Sequence, residues 1–250
     1  YSSAASDVYK RQRPPSMMNR VSETAFTQMT AYINAQASAN GEGGEGGEGN
    51  DALREALDHA YTEAEENGVR APSAVVGSLL ATLAAGAGTA GQGAVAVTPA
   101  AGVVGLHILR GLPDKATLTC IEPEAALQAG AKEAFRLGGH SPSRARFLTA
   151  RPLDVMGRLA TDAYQLIYAD VAPLEMAPLI DNAWPLLTQG GTLIIADSLL
   201  DGTLSDPSRR DRETEAARQA DAHAAALGVD NAAVVTRLPL DGGLTLITKR

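Results

Sequence analysis

Apolar residues recur at steps of three and four in the first third of the chain, and at steps of two, interrupted by helical intervals, in the remainder. Phe26, Met29, Ile33 and Ala37 lie on one face of a helix predicted over residues 21–37. Residues 40–50, NGEGGEGGEGN, hold no apolar side chain and read as a solvated linker. A second helix is predicted over 51–66, with the stripe Leu53, Leu57, Ala60, Tyr61 and Ala64 and with Gly68 placed to end it. A third, 73–83, is apolar nearly all round and is expected to be buried between a sheet and the other helices.

From residue 94 the period alternates. Strands are predicted at 94–98, 116–121, 145–149, 164–169, 192–197, 232–238 and 243–249, and helical segments at 103–111, 124–137, 153–160 and 174–187 separate the first five. Helical crossovers of this length suit parallel strands wound right-handedly, with helices on both faces. The last two strands are joined only by a short turn at Asp241-Gly242-Gly243, so they form an antiparallel hairpin. The helix that connects strand five to this hairpin is predicted to start at Asp206, with Asp206 as N-cap and Pro207 in the first turn. The expected fold is α/β: a doubly wound, Rossmann-like, seven-stranded sheet of five parallel strands plus a C-terminal antiparallel hairpin, preceded by helices.

A length of 250 residues accommodates one such domain with a helical extension. The expected organisation is a leader at 1–16 that reads as a vector or sequencing remnant, an N-terminal helix region at 17–39, the linker at 40–50 and the main domain at 51–250. A net charge of −8 without clustered Lys and Arg argues against a nucleic-acid binder and for a small ligand. The single cysteine, Cys120, excludes an intrachain disulfide and a Cys-rich zinc site, and its apolar neighbours predict a buried strand residue. No apolar run approaches the roughly 20 residues that cross a bilayer, which fits a cytoplasmic protein and no membrane partner.

Residues 95–123, VAVTPAAGVVGLHILRGLPDKATLTCIEP, have the strand, turn, helix and strand of a mononucleotide-binding unit. Where glycines usually let the backbone approach a cofactor, Thr98, Pro99, Ala100 and Ala101 precede a single Gly102. Pro99 removes an amide donor, and a Cβ is strained wherever the turn needs positive φ. Glu122 ends the second strand about 20 residues beyond Gly102, where an acid can accept hydrogen bonds from two ribose hydroxyls. The four histidines, His59, His107, His140 and His223, show no ligand spacing, and only His107 lies in the helix that follows the turn.

Several strings, in this order, resemble class I S-adenosylmethionine-dependent O-methyltransferases, more narrowly the actinobacterial family 3 enzymes related to catechol and caffeoyl-CoA methyltransferases. They are SAVVGSLLATLA at 73–84, GVVGLHILRGLP at 102–113, LTCIEPEAALQAGAKEAFRLGGHSPSRARFLTAR at 118–151, YQLIYAD at 164–170, LLTQGGTLIIADSLLDGTLSDPSRRDRET at 186–214 and LPLDGGLTLITKR at 238–250. The resemblance covers about residues 53–250 and implies methyl transfer from S-adenosylmethionine to a hydroxyl of a small acceptor. It places Ala96, Thr98, Pro99 and Gly102 at the turn around the methionine part of the cofactor, Glu122 at the ribose, Pro123 beside the adenine, and Val76, Val104 and Asp170 as further contacts. Asp170 is the implied catalytic group, as acceptor anchor or base.

In the metal-dependent branch an Asp after strand four and an Asp-Asn pair after strand five hold a magnesium or manganese ion. The matching residues are Asp170, Asp197 and Ser198; Ser198 for Asn, and Pro173 for a frequent lysine, weigh against the metal. The resembled family is commonly dimeric, and the apolar faces of 21–37 and 51–66 fit either a homodimer or an intrachain core. Two alternatives stay open. The altered turn suits a catalytically silent relative serving as a binding or dimerisation module, whereas an NAD-type oxidoreductase lacks support from the C-terminal hairpin.

Overall fold

A computed structural model describes residues 25–33, 35–36, 48–86 and 93–250. The leader at 1–16 and residues 40–47 of the Gly/Glu stretch lie outside the described residues. The chain divides into two units, Tyr1–Gly44 and Glu45–Arg250. Within the first, residues 25–33 form a helix, α1, inside the predicted 21–37.

The second unit begins with α2 (Glu48–Glu66) and α3 (Ala74–Gly86). Alternation then runs β1 (Gly93–Val97), α4 (Ala101–Gly111), β2 (Leu118–Ile121), α5 (Ala125–Leu137), β3 (Ala145–Leu148), the single turn α6 (Pro152–Val155), β4 (Tyr164–Ala169), α7 (Pro173–Ala183), β5 (Leu187–Ile195), α8 (Arg212–Val229), β6 (Ala233–Leu238) and β7 (Leu244–Lys249). The sheet has seven strands in the order β3-β2-β1-β4-β5-β7-β6, parallel from β3 to β5 and antiparallel at β7 and β6. This is the doubly wound sheet with a terminal hairpin that the alternating pattern predicts.

Strand periodicity divides the core in two. Ala94 and Ala96 of β1, with Leu118, Cys120, Leu166 and Tyr168, face Val76, Leu80, Val104, Ile108 and Phe135 of α3, α4 and α5. Val95, Val97, Ile121, Ile167, Leu193 and Ile195 face Met176, Leu179, Ile180 and Ala220 of α7 and α8. Every residue from Leu118 to Ile121 is buried, as parallel strands covered on both sides require. Cys120 is fully buried, and desolvation raises its thiol to about 12, so it packs as a small hydrophobe.

Several boundaries differ from the pattern, and the helix expected at 153–160 is reduced to α6 and a 3-10 turn at Met156–Arg158. Helix α2 starts at Glu48, inside the predicted linker. The segment expected to be helical to 187 turns into a short 3-10 helix at Trp184–Leu186, because Pro185 cannot continue the α-helical ladder, and β5 begins at Leu187 instead of 192. The connecting helix begins at Arg212, and its N-cap is Asp211 rather than Asp206. Asp211 accepts from both the Thr214 amide and the Thr214 hydroxyl, which holds its carboxyl down at about 2, while Asp206 closes a local turn by accepting from Ser208.

One interior group sets a pH limit on this fold. His107 of α4 is 5% exposed, and neither ring nitrogen has a hydrogen-bond partner. Its ring fills the space beside Gly77 of α3, where an added Cβ would collide with it. Burial, reinforced by nearby Arg110, pushes its pKa down to about 4. The unfolded chain, with a histidine near 6.5, binds the proton first as pH falls. Stability is therefore expected to decline by about 3 kcal/mol between pH 6.5 and 4 on account of this residue alone. Denaturant unfolding of His107→Leu should show a shallower loss over that interval than the native chain; parallel losses would contradict the assignment.

Candidate functional site

The parallel register brings three polar residues side by side. Val97 of β1 pairs with Ile121 of β2 on one side and with Ala169 of β4 on the other, so the next residues, Thr98, Glu122 and Asp170, emerge together at the C-terminal ends of adjacent strands. The strand order reverses between β1 and β4, because β2 and β3 lie to one side and β5 to the other. Such a switch point is where open α/β sheets take ligands.

The turn after β1 needs none of the glycines it lacks. No residue from Thr98 to Ala101 has positive φ, so the expected strain is absent. The buried Thr98 hydroxyl accepts the Ala100 amide at 3.1 Å and donates to Asp170 Oδ2 at 3.4 Å, closing the turn with a side chain. Gly102 lies in the first turn of α4, where its missing Cβ admits Ala60 of α2 and Ala131 and Ala134 of α5. It serves helix packing in this structure. Helix α4 has no side-chain cap at Ala100.

Glu122 is 6% exposed and held from several sides. Its amide donates to Leu148 O, its carbonyl accepts from Gln128 Nε2 at 2.7 Å, and Gln128 Oε1 accepts from the Thr149 hydroxyl at 2.9 Å. Carboxylate Oε1 accepts the Glu124 amide at 2.8 Å, while Oε2 has no hydrogen-bond partner among the described residues. Desolvation raises the Glu122 pKa above the usual carboxylate range, and the Glu124 amide partly offsets this. A buried acid with an unpaired oxygen fits a neutral diol, which supplies donors without adding charge. Pro123 is exposed beside it. Val76, Ala96 and Val104 are wholly buried in the core and present no surface to a ligand here. Pro99 is half-buried at the turn.

Asp170 lies on the other side of Thr98. Burial pushes its carboxyl up to about 6, the neighbouring Asp197 adds to this, and the Thr98 hydroxyl and Arg70 oppose it. Asp170, Asp197, Asp241, Tyr168, Arg70 and Pro72 line one hollow. Asp197 has φ of 50°, and its Oδ1 accepts the amide of Gly242 from the β6–β7 turn at 3.1 Å.

The residues do not fit the divalent cation. The Ser198 hydroxyl is buried, 2.8 Å from the Thr245 hydroxyl and donating to Gly243 O at 3.3 Å, so it points into the sheet edge. Asp197 is shared between Gly242 and Arg70, whose Nη1 lies 3.6 Å from Oδ2. No group of three acidic, histidine or cysteine side chains among the described residues has a metal-binding arrangement. Asp170 and Asp197 are neighbours, as expected; the third donor is missing.

Space is limited at these strand ends. The hollow at Asp170 and another lined by Ala60, Glu63, Pro99 and Gly102 each enclose about 10 Å³, room for a water and not for a nucleoside. The 70–72 segment walls the first, and residues of α2 wall the second. A larger open hollow of about 740 Å³ lies between Leu199, Gly202, Leu204, Ser205 and Pro207 of the segment after β5 and Arg218, Asp221 and Ala222 of α8.

Sequence reasoning missed Arg70, Gln128, Thr149 and Asp241. Gln128 had a signal, since it occupies the inward stripe of α5 with Ala131, Ala134 and Phe135, where a buried amide needs partners. Arg70 sits in a coil without periodicity and had none. Thr98→Val is expected to destabilise the fold by about 1–2 kcal/mol, because it strands the Ala100 amide. A shift of the urea midpoint checks this; an unchanged midpoint would contradict the Thr98 closure.

No family model matches the chain. A Mycobacterium marinum protein with the assigned name O-methyltransferase is 37% identical over 164 residues, covering 66% of this chain and 72% of that protein. A Corynebacterium glutamicum protein of known structure is 48% identical with a TM-score of 0.79, covering 90% of this chain and 97% of that one. The O-methyltransferase TomG of Streptomyces achromogenes, solved with S-adenosylmethionine and involved in tomaymycin synthesis, shares the fold at a TM-score of 0.69 and 21% identity, over 78% of this chain and 89% of its own.

Proposed function

We propose a reaction for a chain that belongs to the bacterial O-methyltransferase family of its Mycobacterium marinum relative: transfer of the methyl group of S-adenosylmethionine to a hydroxyl oxygen of a small acceptor. The observation that carries the site assignment is the adjacency of Thr98, Glu122 and Asp170 at the ends of β1, β2 and β4. Glu122 Oε2 is the acceptor for the ribose hydroxyls, and Gln128 and Thr149 keep the Glu122 backbone in place. Pro123 offers an apolar surface to the adenine.

Bound there, S-adenosylmethionine supplies a methyl group whose bond to sulfur breaks as a bond to the acceptor oxygen forms. Thr98 fixes Asp170 by its hydroxyl, and Asp170 anchors the acceptor hydroxyl and takes its proton. Entry of the cofactor requires residues 60–67, which wall the small hollow beside Pro99 and Gly102, to move outward. The acceptor is a small molecule, and no helix among the described residues is long and apolar enough to cross a membrane.

Calorimetric titration with S-adenosylhomocysteine tests the cofactor assignment. The native chain should bind, and Glu122→Ala should bind at least tenfold more weakly, a loss of about 1.4 kcal/mol or more. Equal affinities would show that Glu122 does not hold the ribose. Absence of binding to the native chain at millimolar ligand would favour the silent relative.

A further inference from the structure

We infer that Arg70 is the built-in cation of the acidic strand edge, occupying the role that the resemblance assigns to a divalent ion, and that its guanidinium positions the acceptor oxygen beside Asp170. The inference rests on the methyl-transfer reading and deepens it. Three carboxylates from separate elements line one hollow, Asp170 after β4, Asp197 after β5 and Asp241 in the β6–β7 turn, and a fourth, Asp201, lies against Arg70 from the segment after β5. Arg70 Nη1 lies 3.6 Å from Asp197 and Nη2 3.8 Å from Asp201, and Arg70 lines the same hollow as Asp170 and Asp241.

These separations are ion pairs longer than hydrogen bonds, so guanidinium donors remain for a further oxygen. The Arg70 side chain is 61% exposed, which leaves one side of it open to an incoming acceptor. Its backbone is held independently. The Ser73 amide donates to Asp241 Oδ2 at 2.9 Å, and the Tyr61 hydroxyl donates to Pro72 O at 3.0 Å, so the segment is tied to the β6–β7 turn and to α2 by bonds that do not involve the guanidinium. A planar fork of donors can hold an oxygen that is losing its proton without the hydration shell a small ion brings.

The metal alternative is disfavoured by the same bonds. Ser198 is committed to Thr245 and Gly243 and Asp197 Oδ1 to Gly242, while Arg70 lies against Asp197 Oδ2, the oxygen that its removal would free beside Asp170. A merely superficial ion pair would predict that removing the guanidinium changes nothing about cation affinity. A resident cation predicts that its removal opens the carboxylates to another.

The test is calorimetric titration of manganese(II) into the full chain, native and Arg70→Gln, with S-adenosylhomocysteine titrated into both in parallel. The native chain should show no manganese binding below millimolar concentration. Arg70→Gln should bind manganese at least tenfold more tightly, Arg70→Lys should resemble the native chain, and adding Asp170→Asn to Arg70→Gln should remove the gain. Micromolar binding to the native chain that Asp170→Asn abolishes would overturn the inference, as would failure of every variant to bind manganese. Retained S-adenosylhomocysteine affinity in Arg70→Gln shows that the variant is folded. Loss of that ligand from the native chain would instead strike the methyl-transfer reading, so the two failures are separable.

Discussion

The parallel pairing of β2, β1 and β4 is the constraint from which the site follows. With helices on both faces, the strand interiors must be apolar, and Val95, Val97, Ile121, Ile167 and their neighbours satisfy that demand. Polar groups are displaced to the strand ends, and the register decides which of them meet. Because Val97 pairs with both Ile121 and Ala169, one step further along the chain sets Thr98 between Glu122 and Asp170. A shift of one residue in either pairing would turn one of these side chains to the opposite face.

Clustering acids at this edge opposes stability, and the surrounding bonds show how the fold accommodates them. Glu122 and Asp170 both have carboxyls raised by burial, and each is partly compensated, Glu122 by the Glu124 amide and Asp170 by Thr98 and Arg70. The two outer acids take on structural bonds: Asp197 accepts from Gly242 and Asp241 from Ser73. Those bonds connect the β6–β7 turn to the β5 edge and to the segment before α3. The antiparallel hairpin thereby completes the acidic edge as well as the sheet. Aspartates tolerate the left-handed backbone found at Asp197, Asp201 and Asp241 better than most residues, which suits them to these tight connections.

Much of this architecture was legible from period alone, since strand and helix alternation fixes a doubly wound sheet and the short Asp241-Gly242-Gly243 link leaves only a hairpin. Glu122 and Asp170 were legible as acids at strand ends. The turn was misjudged, because the absence of glycine suggested strain, whereas Thr98 replaces backbone freedom with a hydroxyl acceptor. Asp206 and Asp211 are both credible caps in the sequence; only Thr214, which bonds Asp211 through both amide and hydroxyl, distinguishes them. Ser198 could be read as a poor ligand, but its inward orientation depends on Thr245, a residue brought close by antiparallel pairing across 47 positions. Arg70 was invisible for the same reason, as its partners come from a distant loop.

The central claim is that this strand-end row is the nucleoside site. A crystal structure of the chain with S-adenosylhomocysteine tests it most directly. The account predicts the Glu122 carboxylate within hydrogen-bond distance of the ribose hydroxyls, with the sulfur near Asp170 and residues 60–67 moved outward. A ligand bound elsewhere, with Glu122 still bonded only to the Glu124 amide, would contradict it.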